Sequence, residues 1–185
     1  MTVVLVPVRG FTTGKTRWGD KLPPDQHRAL VRRMADAALT AAGDHDVRVV
    51  TADGEVEEWA GHHGAGVMHD RGDGLNPALE QARAEALREG APSVLVLFAD
   101  LPRVSKEDVA AMLDLPHERS AVIAPDHHGT GTNALHVGAA CPLRYRFGTG
   151  SFELHRAQVN DALVVSRPGL AFDVDEAPDP SIVFS

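Results

Sequence analysis

Short, almost wholly apolar runs alternate with longer amphipathic segments along this chain, and this alternation limits its fold more than any other feature. TVVLVP (Thr2–Pro7) and SVLVLFAD (Ser93–Asp100) are nearly continuous apolar runs, which is typical of strands buried on both faces. Between them, residues Pro24–Ala42 carry apolar side chains at helical spacing, and Gly43 follows as a stop. The pattern predicts an α/β fold with a mostly parallel sheet flanked by helices.

The remaining elements continue this alternation. Further strands are predicted at Val47–Thr51, Gly66–His69, Ser120–Pro125, Asn133–Gly138, ALVVS (162–166) and Leu170–Asp175. Further helices are predicted at Asn76–Gly90 with Asn76 as cap, at Ser105–Leu113 with a Ser105–Asp108 capping box, and at Ser151–Asp161 with Ser151 as cap. We expect one domain over residues 1–185, with ligands bound at the carboxyl ends of its strands.

Charge and cysteine content exclude several classes of function. The net charge of −8 argues against a nucleic-acid-binding surface, so an anionic ligand needs a local basic pocket. The single cysteine, Cys141, excludes an intrachain disulfide and a multi-cysteine metal site. No apolar stretch approaches the ~20 residues of a membrane span, and the start has no basic segment before its apolar run. The sequence therefore predicts a cytoplasmic protein without membrane partners.

The loop after the first strand, VRGFTTGKTR, resembles a phosphate-binding loop but differs in length. A Walker A loop needs four residues between its first glycine and Gly-Lys-Thr, whereas three separate Gly10 from Gly14. The missing residue rotates the backbone donors that would surround a phosphate, which argues against a P-loop. A merely solvated basic loop is the other alternative. Anion binding is favoured because four cations cluster in this acidic chain: Arg9, Lys15, Arg17 and Lys21.

Three aspartates follow predicted strands and indicate a metal site. Asp100 ends the most apolar strand, where it is either a magnesium ligand or a turn and capping residue. Asp173 and Asp175 occupy alternate strand positions, so both side chains would face the same way. Oxygen ligands without histidine or cysteine favour Mg²⁺ over zinc. A basic loop with dispersed aspartates is what phosphoryl or nucleotidyl transfer requires.

Two glycine- and threonine-rich loops offer a second anion site. In DHHGTGTNALHV the hydroxyls of Thr130 and Thr132 could hold a small anion, although a plain turn is the alternative. In FGTGSFELH, Gly148 and Gly150 lead into a helix that starts at Ser151, and a helix amino terminus attracts phosphate or carboxylate. The histidine pairs at 62–63 and 127–128 are poorly suited to bind one metal ion, because adjacent side chains diverge in an extended chain. They are interpreted as solvated loop residues instead.

With these motifs in place, the chain resembles the CofC-type guanylyltransferases of coenzyme F-420 biosynthesis. The resemblance runs along nearly the whole chain, through VLVPVRG…GKTR, DGLNPAL, FADLP, GTNAL, FGTGSFELH and FDVD, in that order. Each motif is short, but their order is specific. The resemblance implies a single-domain nucleotidyltransferase fold of the glycosyltransferase-A type and a homodimer.

The resemblance also implies roles for individual residues. Nucleotide binding falls to Pro7, Arg9, Lys15, Arg17, Gly74 and Asn76. Lys15 and Arg17 are triphosphate ligands and, with Asp100, the catalytic residues. Thr132, Gly148 and Ser151 would bind the phosphate and carboxylate of the acceptor. Asp100, Asp173 and Asp175 are the Mg²⁺ ligands, with the choice between Asp173 and Asp175 open.

Members of this family transfer GMP from GTP to a phosphorylated three-carbon acid and release pyrophosphate. The acceptor is 2-phospholactate in archaeal-type members and phosphoenolpyruvate in actinobacterial ones. The composition, rich in alanine, arginine and glycine, favours phosphoenolpyruvate. Two other hypotheses stay open at this point: a small P-loop kinase or GTPase, and a non-catalytic nucleotide-binding module.

Overall fold

The computed structural model describes residues 1–12, 22–115 and 120–174. The strands of this part are β1 Val3–Pro7, β2 Asp46–Thr51, β3 Gly66–His69, β4 Ser93–Leu97, β5 Ala121–Pro125, β6 Thr132–Gly138 and β7 Leu163–Val164. Its helices are α1 Pro24–Ala42, α2 Gly54–His62, α3 Leu75–Arg88, α4 Lys106–Leu113, α5 Ser151–Arg156 and α6 Pro168–Ala171.

The strands form one sheet in the order β3-β2-β1-β4-β6-β5-β7. Strands β1 to β4 are parallel where they pair, and so are β5 and β7. β6 alone among these strands runs antiparallel to its neighbours β4 and β5. The predicted mostly parallel sheet is confirmed. The reversal of β6 has a consequence for function, because the start of β6 lies beside the end of β4, where Phe98 N donates to Asn133 O over 3.1 Å.

Helices cover both faces of the sheet, as predicted. Alternate β1 residues point to opposite faces: Val4 and Val6 pack into one apolar cluster, Val3 and Leu5 into the other. Helices α1, α2 and α4 complete the first cluster, whereas α3 and the segment 141–147 complete the second. Two-sided burial explains why the central strands lack polar alternation.

Most predicted elements are confirmed within one to three residues. The Ser105–Asp108 capping box is present, with the Ser105 hydroxyl accepting from Asp108 N over 3.2 Å. Helix α2 was not predicted from the sequence. It begins after Asp53, whose carboxylate accepts from Glu55 N and Val56 N.

Two predicted helix caps are wrong. Helix α3 begins after Gly74, whose φ of +100° suits glycine, while the Asn76 side chain is used for bonds to Phe147. Helix α5 begins after Gly150 at φ +72°, and Ser151 is its first residue rather than its cap. α5 also ends at Arg156, five residues before the predicted end.

The predicted strand at Leu170–Asp175 is also wrong. Its described part contains the end of helix α6 and then irregular backbone up to Val174, and Asp175 lies outside the described residues. Pro168 starts α6, which suits its fixed φ. The carbonyls of Leu170 and Ala171 accept from the Asn133 side chain at 2.9 and 3.4 Å, so they have partners without a strand ladder.

Within residues 1–12, 22–115 and 120–174, every helix is too short or too polar to cross a bilayer.

Gly169 provides a test of packing around α6. A Cβ there would overlap the Asp108 carboxylate and lie 2.7 Å from the Arg103 carbonyl oxygen. Asp108 is buried, accepts from Ser105 N at 3.0 Å and pairs with Arg167, so it has little freedom to move. We expect Gly169→Ala to lower the free energy of unfolding by about 1–3 kcal/mol, measured by chemical denaturation.

The matched control is Gly61→Ala in α2, where an added Cβ meets no described heavy atom within 4 Å. There alanine should leave the free energy of unfolding unchanged or raise it by up to about 1 kcal/mol, because alanine is the better helix former. Equal stabilities for the two variants would contradict the packing assigned to Gly169.

Candidate active site

A cavity of ≈ 460 Å³ opens where β1, β2 and β4 end and α3 begins. Much of its wall is apolar, with Met34 from α1, Val50 from β2 and Leu75 from α3 among the lining side chains. Ligands bind at this end of parallel strands because the connecting loops diverge there. The size and lining suit a flat, partly apolar group such as a nucleobase with its ribose.

Polar groups line one side of this cavity. Arg9 and Asp100, from the ends of β1 and β4, both line it, as do Pro7 and Gly74. Asp70 also lines it, and its carboxylate accepts from Gly72 N over 2.8 Å. The structure thus brings together four of the predicted nucleotide and metal residues: Pro7, Arg9, Gly74 and Asp100. Lys15 and Arg17 lie outside the described residues.

Asn76 differs from the other predicted nucleotide residues. Its amide makes two bonds to one backbone unit: Nδ2 donates to Phe147 O over 3.1 Å and Oδ1 accepts from Phe147 N over 2.8 Å. The side chain therefore ties α3 to the segment before α5. A direct role at the nucleoside stays a prediction.

The predicted acceptor residues Thr132, Gly148 and Ser151 lie where β6 and α5 begin. This region is called the acceptor corner. Ser151 N donates to Gly148 O over 3.1 Å, and Phe152 N donates to Thr130 O over 3.1 Å. Gly148 at φ +125° and Gly150 at φ +72° make the tight turn that closes this corner. Because the Ser151 and Phe152 N–H groups already have partners, side-chain hydroxyls are the better ligand donors here.

Those hydroxyls differ in their partners. Thr130 Oγ1 donates to the Asp126 carboxylate over 3.2 Å, and this hydrogen bond fixes the turn. Thr132 Oγ1 lies 3.0 Å from His155 Nδ1. The Ser151 hydroxyl has no hydrogen-bond partner within residues 1–12, 22–115 and 120–174, although the residue is 1% exposed. Thr132 and Ser151 are therefore the hydroxyls best placed for a ligand.

The cavity and this corner adjoin through an aromatic contact. Phe98, which lines the cavity, packs edge-on against Phe147 with ring centroids 5.1 Å apart. Phe147 in turn packs against His155 at 4.8 Å. A ligand in the cavity and a ligand at the corner would thus lie close to one another.

Two of the predicted metal ligands come from adjoining segments. Val174 N donates to Asp100 O over 3.2 Å, which holds the segment bearing Asp173 against the end of β4. Asn133 Nδ2 lies 3.2 Å from Asp173 Oδ1 and orients that carboxylate. The Asp173 side chain is only 8% exposed. The segment that bears Asp173 thus lies beside Asp100, which lines the cavity.

These carboxylates suit a hard divalent cation that also binds substrate phosphates. Within the described ranges no group of three or more histidine, cysteine, aspartate or glutamate side chains could form a metal site alone. Mg²⁺ commonly takes one or two carboxylates and completes its shell with water and phosphate oxygens. Asp100 and Asp173 fit that donor set. Asp175 lies outside the described residues.

Three residues near the site had no functional role in the sequence-based prediction. Asn133 and His155 were part of recognised motifs, but only the structure shows what they contact. His127 Nδ1 lies 3.5 Å from Asp173 Oδ1. His127 and His128 are exposed, as predicted, but they do not diverge, because they lie in a turn with ring centroids 3.7 Å apart.

His155 is a buried and neutral histidine. Burial, and secondarily the positive charge of Arg146, lowers the pKa of its imidazole to about 4. Its Nε2 accepts from Arg146 N over 2.9 Å, while Nδ1 faces Thr132 Oγ1. The signal in the sequence is its position four residues after Ser151, which places both on one side of a helix.

Comparison with known proteins shows the family to which this chain belongs. Residues 2–166 match the family model for CofC-like guanylyl transferases. The chain is 39% identical to a phosphoenolpyruvate guanylyltransferase of Sphaerobacter thermophilus, over 96% of this chain and 90% of the relative. It is 40% identical to the enzyme of that name from Rubrobacter xylanophilus, over 95% and 89%.

A solved structure supports the fold. A nucleotidyl transferase from Methanothermobacter superposes with a TM-score of 0.66 at 19% identity, over 95% of this chain and 92% of that one. At that identity the likeness concerns the fold alone, and it agrees with the predicted fold class. The family match extends from β1 to the residues just after β7 and so includes the cavity, Asp100 and the corner around Thr132. This chain belongs to the family of CofC-like guanylyl transferases and is a nucleotidyltransferase.

Proposed function

We propose that this enzyme transfers GMP from GTP to phosphoenolpyruvate and releases pyrophosphate, as the names of the two relatives described above suggest. One observation on the structure of this chain supports the proposal. The cavity at the ends of β1 and β4 adjoins the hydroxyl-bearing corner at the start of β6, with Asp100 and Asp173 beside them. Two anionic substrates held next to acidic metal ligands are what nucleotidyl transfer needs.

The cavity is the proposed site of GTP. Its apolar walls would pack against guanine and ribose, while Arg9 on its rim would meet the phosphates. From the sequence, Lys15 and Arg17 add two cations to the same strand exit. Backbone groups near Gly74, on the wall of the cavity, would hold the nucleoside.

The corner formed by Thr132, Gly148 and Ser151 is the proposed acceptor site. The Ser151 hydroxyl, which has no partner among the described residues, can donate to an anionic oxygen. Gly148 at φ +125° lets the backbone approach the ligand without a side chain in the way. Phosphoenolpyruvate offers a phosphate and a carboxylate to these donors.

Asp100 and Asp173 are the residues that would hold a divalent cation, which we take to be Mg²⁺. Asp175 is a further ligand proposed from the sequence alone. When bound, the cation supplies charge neutralisation on the triphosphate and on the departing pyrophosphate. Asn133 contributes by fixing the direction of the Asp173 carboxylate.

The reaction exchanges one phosphoanhydride for another. A phosphate oxygen of the acceptor forms a bond to the α-phosphorus of GTP, and the bond from that phosphorus to the β-phosphate oxygen breaks. The attacking oxygen is already anionic at neutral pH, so no side chain has to remove a proton. The protein's task is therefore to align two polyanions and stabilise the charge on the leaving group.

Neither alternative hypothesis finds support. A P-loop kinase or GTPase and a non-catalytic nucleotide-binding module both disagree with a family and two relatives that are named guanylyltransferases. 2-Phospholactate is the second candidate acceptor, because it carries the same two anionic groups. The single domain over 1–185, the homodimer and the cytoplasmic location stay predictions from the sequence.

Acceptor specificity tests the proposal directly. The protein is incubated with GTP and Mg²⁺ and, separately, with phosphoenolpyruvate, 2-phospholactate or 3-phosphoglycerate. We expect the fastest pyrophosphate release with phosphoenolpyruvate, with one guanylylated product per pyrophosphate in the mass spectrum. A faster reaction with 2-phospholactate would overturn the acceptor assignment. Release of orthophosphate, or GTP binding without turnover, would overturn the proposed reaction.

Asp100→Asn tests the proposed metal ligand. An amide keeps the shape but binds a divalent cation weakly, so we expect kcat/KM for GTP to fall by roughly 100-fold or more. The backbone bond from Val174 N to the Asp100 carbonyl is kept by this substitution, and thermal unfolding checks that the variant folds. Asp114→Asn, at the exposed end of α4, is the matched control and should stay within about twofold of wild type. Near-normal turnover by Asp100→Asn would remove this carboxylate from the mechanism.

A further inference from the structure

His155 is a fully buried residue of α5 whose side chain contacts Thr132 of the proposed acceptor corner. Its relative exposure is 0%. One ring nitrogen, Nε2, lies 2.9 Å from Arg146 N, and the other, Nδ1, lies 3.0 Å from Thr132 Oγ1. The Phe147 ring packs against the imidazole with centroids 4.8 Å apart. Among the described residues, Thr132 is the one member of the proposed acceptor set to which the His155 side chain is hydrogen-bonded.

The direction of these hydrogen bonds follows from elementary chemistry. The backbone N–H of Arg146 can only donate, so Nε2 must accept and carries no proton. The ring is neutral because burial lowers its pKa to about 4, so its single proton sits on Nδ1. Nδ1–H then donates to Thr132 Oγ1, which fills one lone pair of that hydroxyl. The hydroxyl's own hydrogen is left to point at another group.

We propose that His155 is a positioning residue that turns the Thr132 hydroxyl into a committed donor toward the anionic acceptor. This inference rests on the proposed function. A carboxylate or phosphate oxygen offers only lone pairs, so it matches a hydroxyl whose hydrogen is directed outward. The arrangement gives the corner a donor without placing a positive charge in it.

The role predicts selectivity at this position. An acceptor whose group beside Thr132 were an amide N–H would meet a second donor and lose the hydrogen bond. If the imidazole were replaced by an apolar side chain, the Thr132 hydroxyl would be free to rotate and would lose its preferred direction. The loss should fall on binding of the acceptor and leave GTP in its cavity largely unaffected, because His155 does not line that cavity.

Four variants test this role: His155→Leu, His155→Asn, Thr132→Val and the double variant His155→Leu/Thr132→Val. The asparagine amide can donate from nearly the position of Nδ1, so it should restore most of the function that leucine removes. We expect His155→Leu to raise KM for phosphoenolpyruvate about tenfold or more and KM for GTP by less than about twofold. His155→Asn should lie within about threefold of wild type for both substrates.

The double variant separates a positioning role from a structural one. If His155 acts through Thr132, the double variant should be no worse than Thr132→Val alone, because the hydroxyl it orients is already gone. The inference would be overturned if the effects of the two single substitutions on KM for phosphoenolpyruvate multiply in the double variant. It would also be overturned if KM for GTP rises as much as KM for phosphoenolpyruvate. Thermal unfolding checks each variant, and if His155→Leu does not fold, the tautomer of the wild-type imidazole, measured as described next, decides the role.

A spectroscopic readout keeps this test separate from the proposed function. In ¹⁵N spectra of the wild-type protein, His155 should be neutral with Nδ1 protonated and Nε2 bare between about pH 6 and 8. The opposite tautomer would overturn the inference even if phosphoenolpyruvate is guanylylated at full rate. No pyrophosphate from the wild-type enzyme with any acceptor would instead overturn the proposed function, and with it the acceptor that this residue is said to serve.

Discussion

The hydrogen bonds of one amide, that of Asn133, hold the site together. Its Nδ2 group lies within 3.4 Å of the carbonyls of Leu170 and Ala171 and of the Asp173 carboxylate. Asn133 itself sits at the start of β6, with its carbonyl bonded to Phe98 N at the end of β4. Through its backbone carbonyl and its side chain, this one buried residue therefore connects the strand that ends at the cavity, the strand that begins at the acceptor corner and the segment with a proposed metal ligand.

This arrangement depends on the antiparallel direction of β6. A parallel strand at that position would begin at the far edge of the sheet, and its first residues would lie roughly 20 Å from the cavity. Reversal brings Thr132 to the same edge as Arg9 and Asp100, although the three come from different parts of the chain. The topology, rather than any local motif, makes a two-substrate site feasible.

The local pattern of apolar and polar residues predicted much of the fold and part of the site. Continuous apolar runs identified β1 and β4 because both faces of these strands are covered, and helical spacing identified α1. Arg9 and Asp100 could be paired in advance because parallel strands end at one edge of a sheet. The predicted strand at Leu170–Asp175 failed because Phe172 and Val174 pack with Leu30 and Met34 of α1 and not on a sheet face. The Asn133 side chain bonds the carbonyls of Leu170 and Ala171 in place of a neighbouring strand.

The rest could not be predicted because its hydrogen bonds join distant positions. Asn76 and Phe147 are 71 residues apart, Asn133 and Asp173 are 40 apart, and Thr132 and His155 are 23 apart. No propensity or spacing rule specifies such pairs, since each depends on the final packing of two elements. Asn76 shows the consequence: its residue type and position suit a helix cap, but its amide is used across the molecule.

The central claim is that two substrates meet beside Asp100 and Asp173. The most direct measurement is a crystal structure with Mg²⁺, phosphoenolpyruvate and a GTP analogue whose α,β-bridging oxygen is replaced by methylene. The account predicts an acceptor phosphate oxygen about 3–3.5 Å from the α-phosphorus, with both carboxylates bound to one cation. A nucleotide whose phosphates point away from Asp173, or an acceptor bound outside the Thr132 corner, would contradict it.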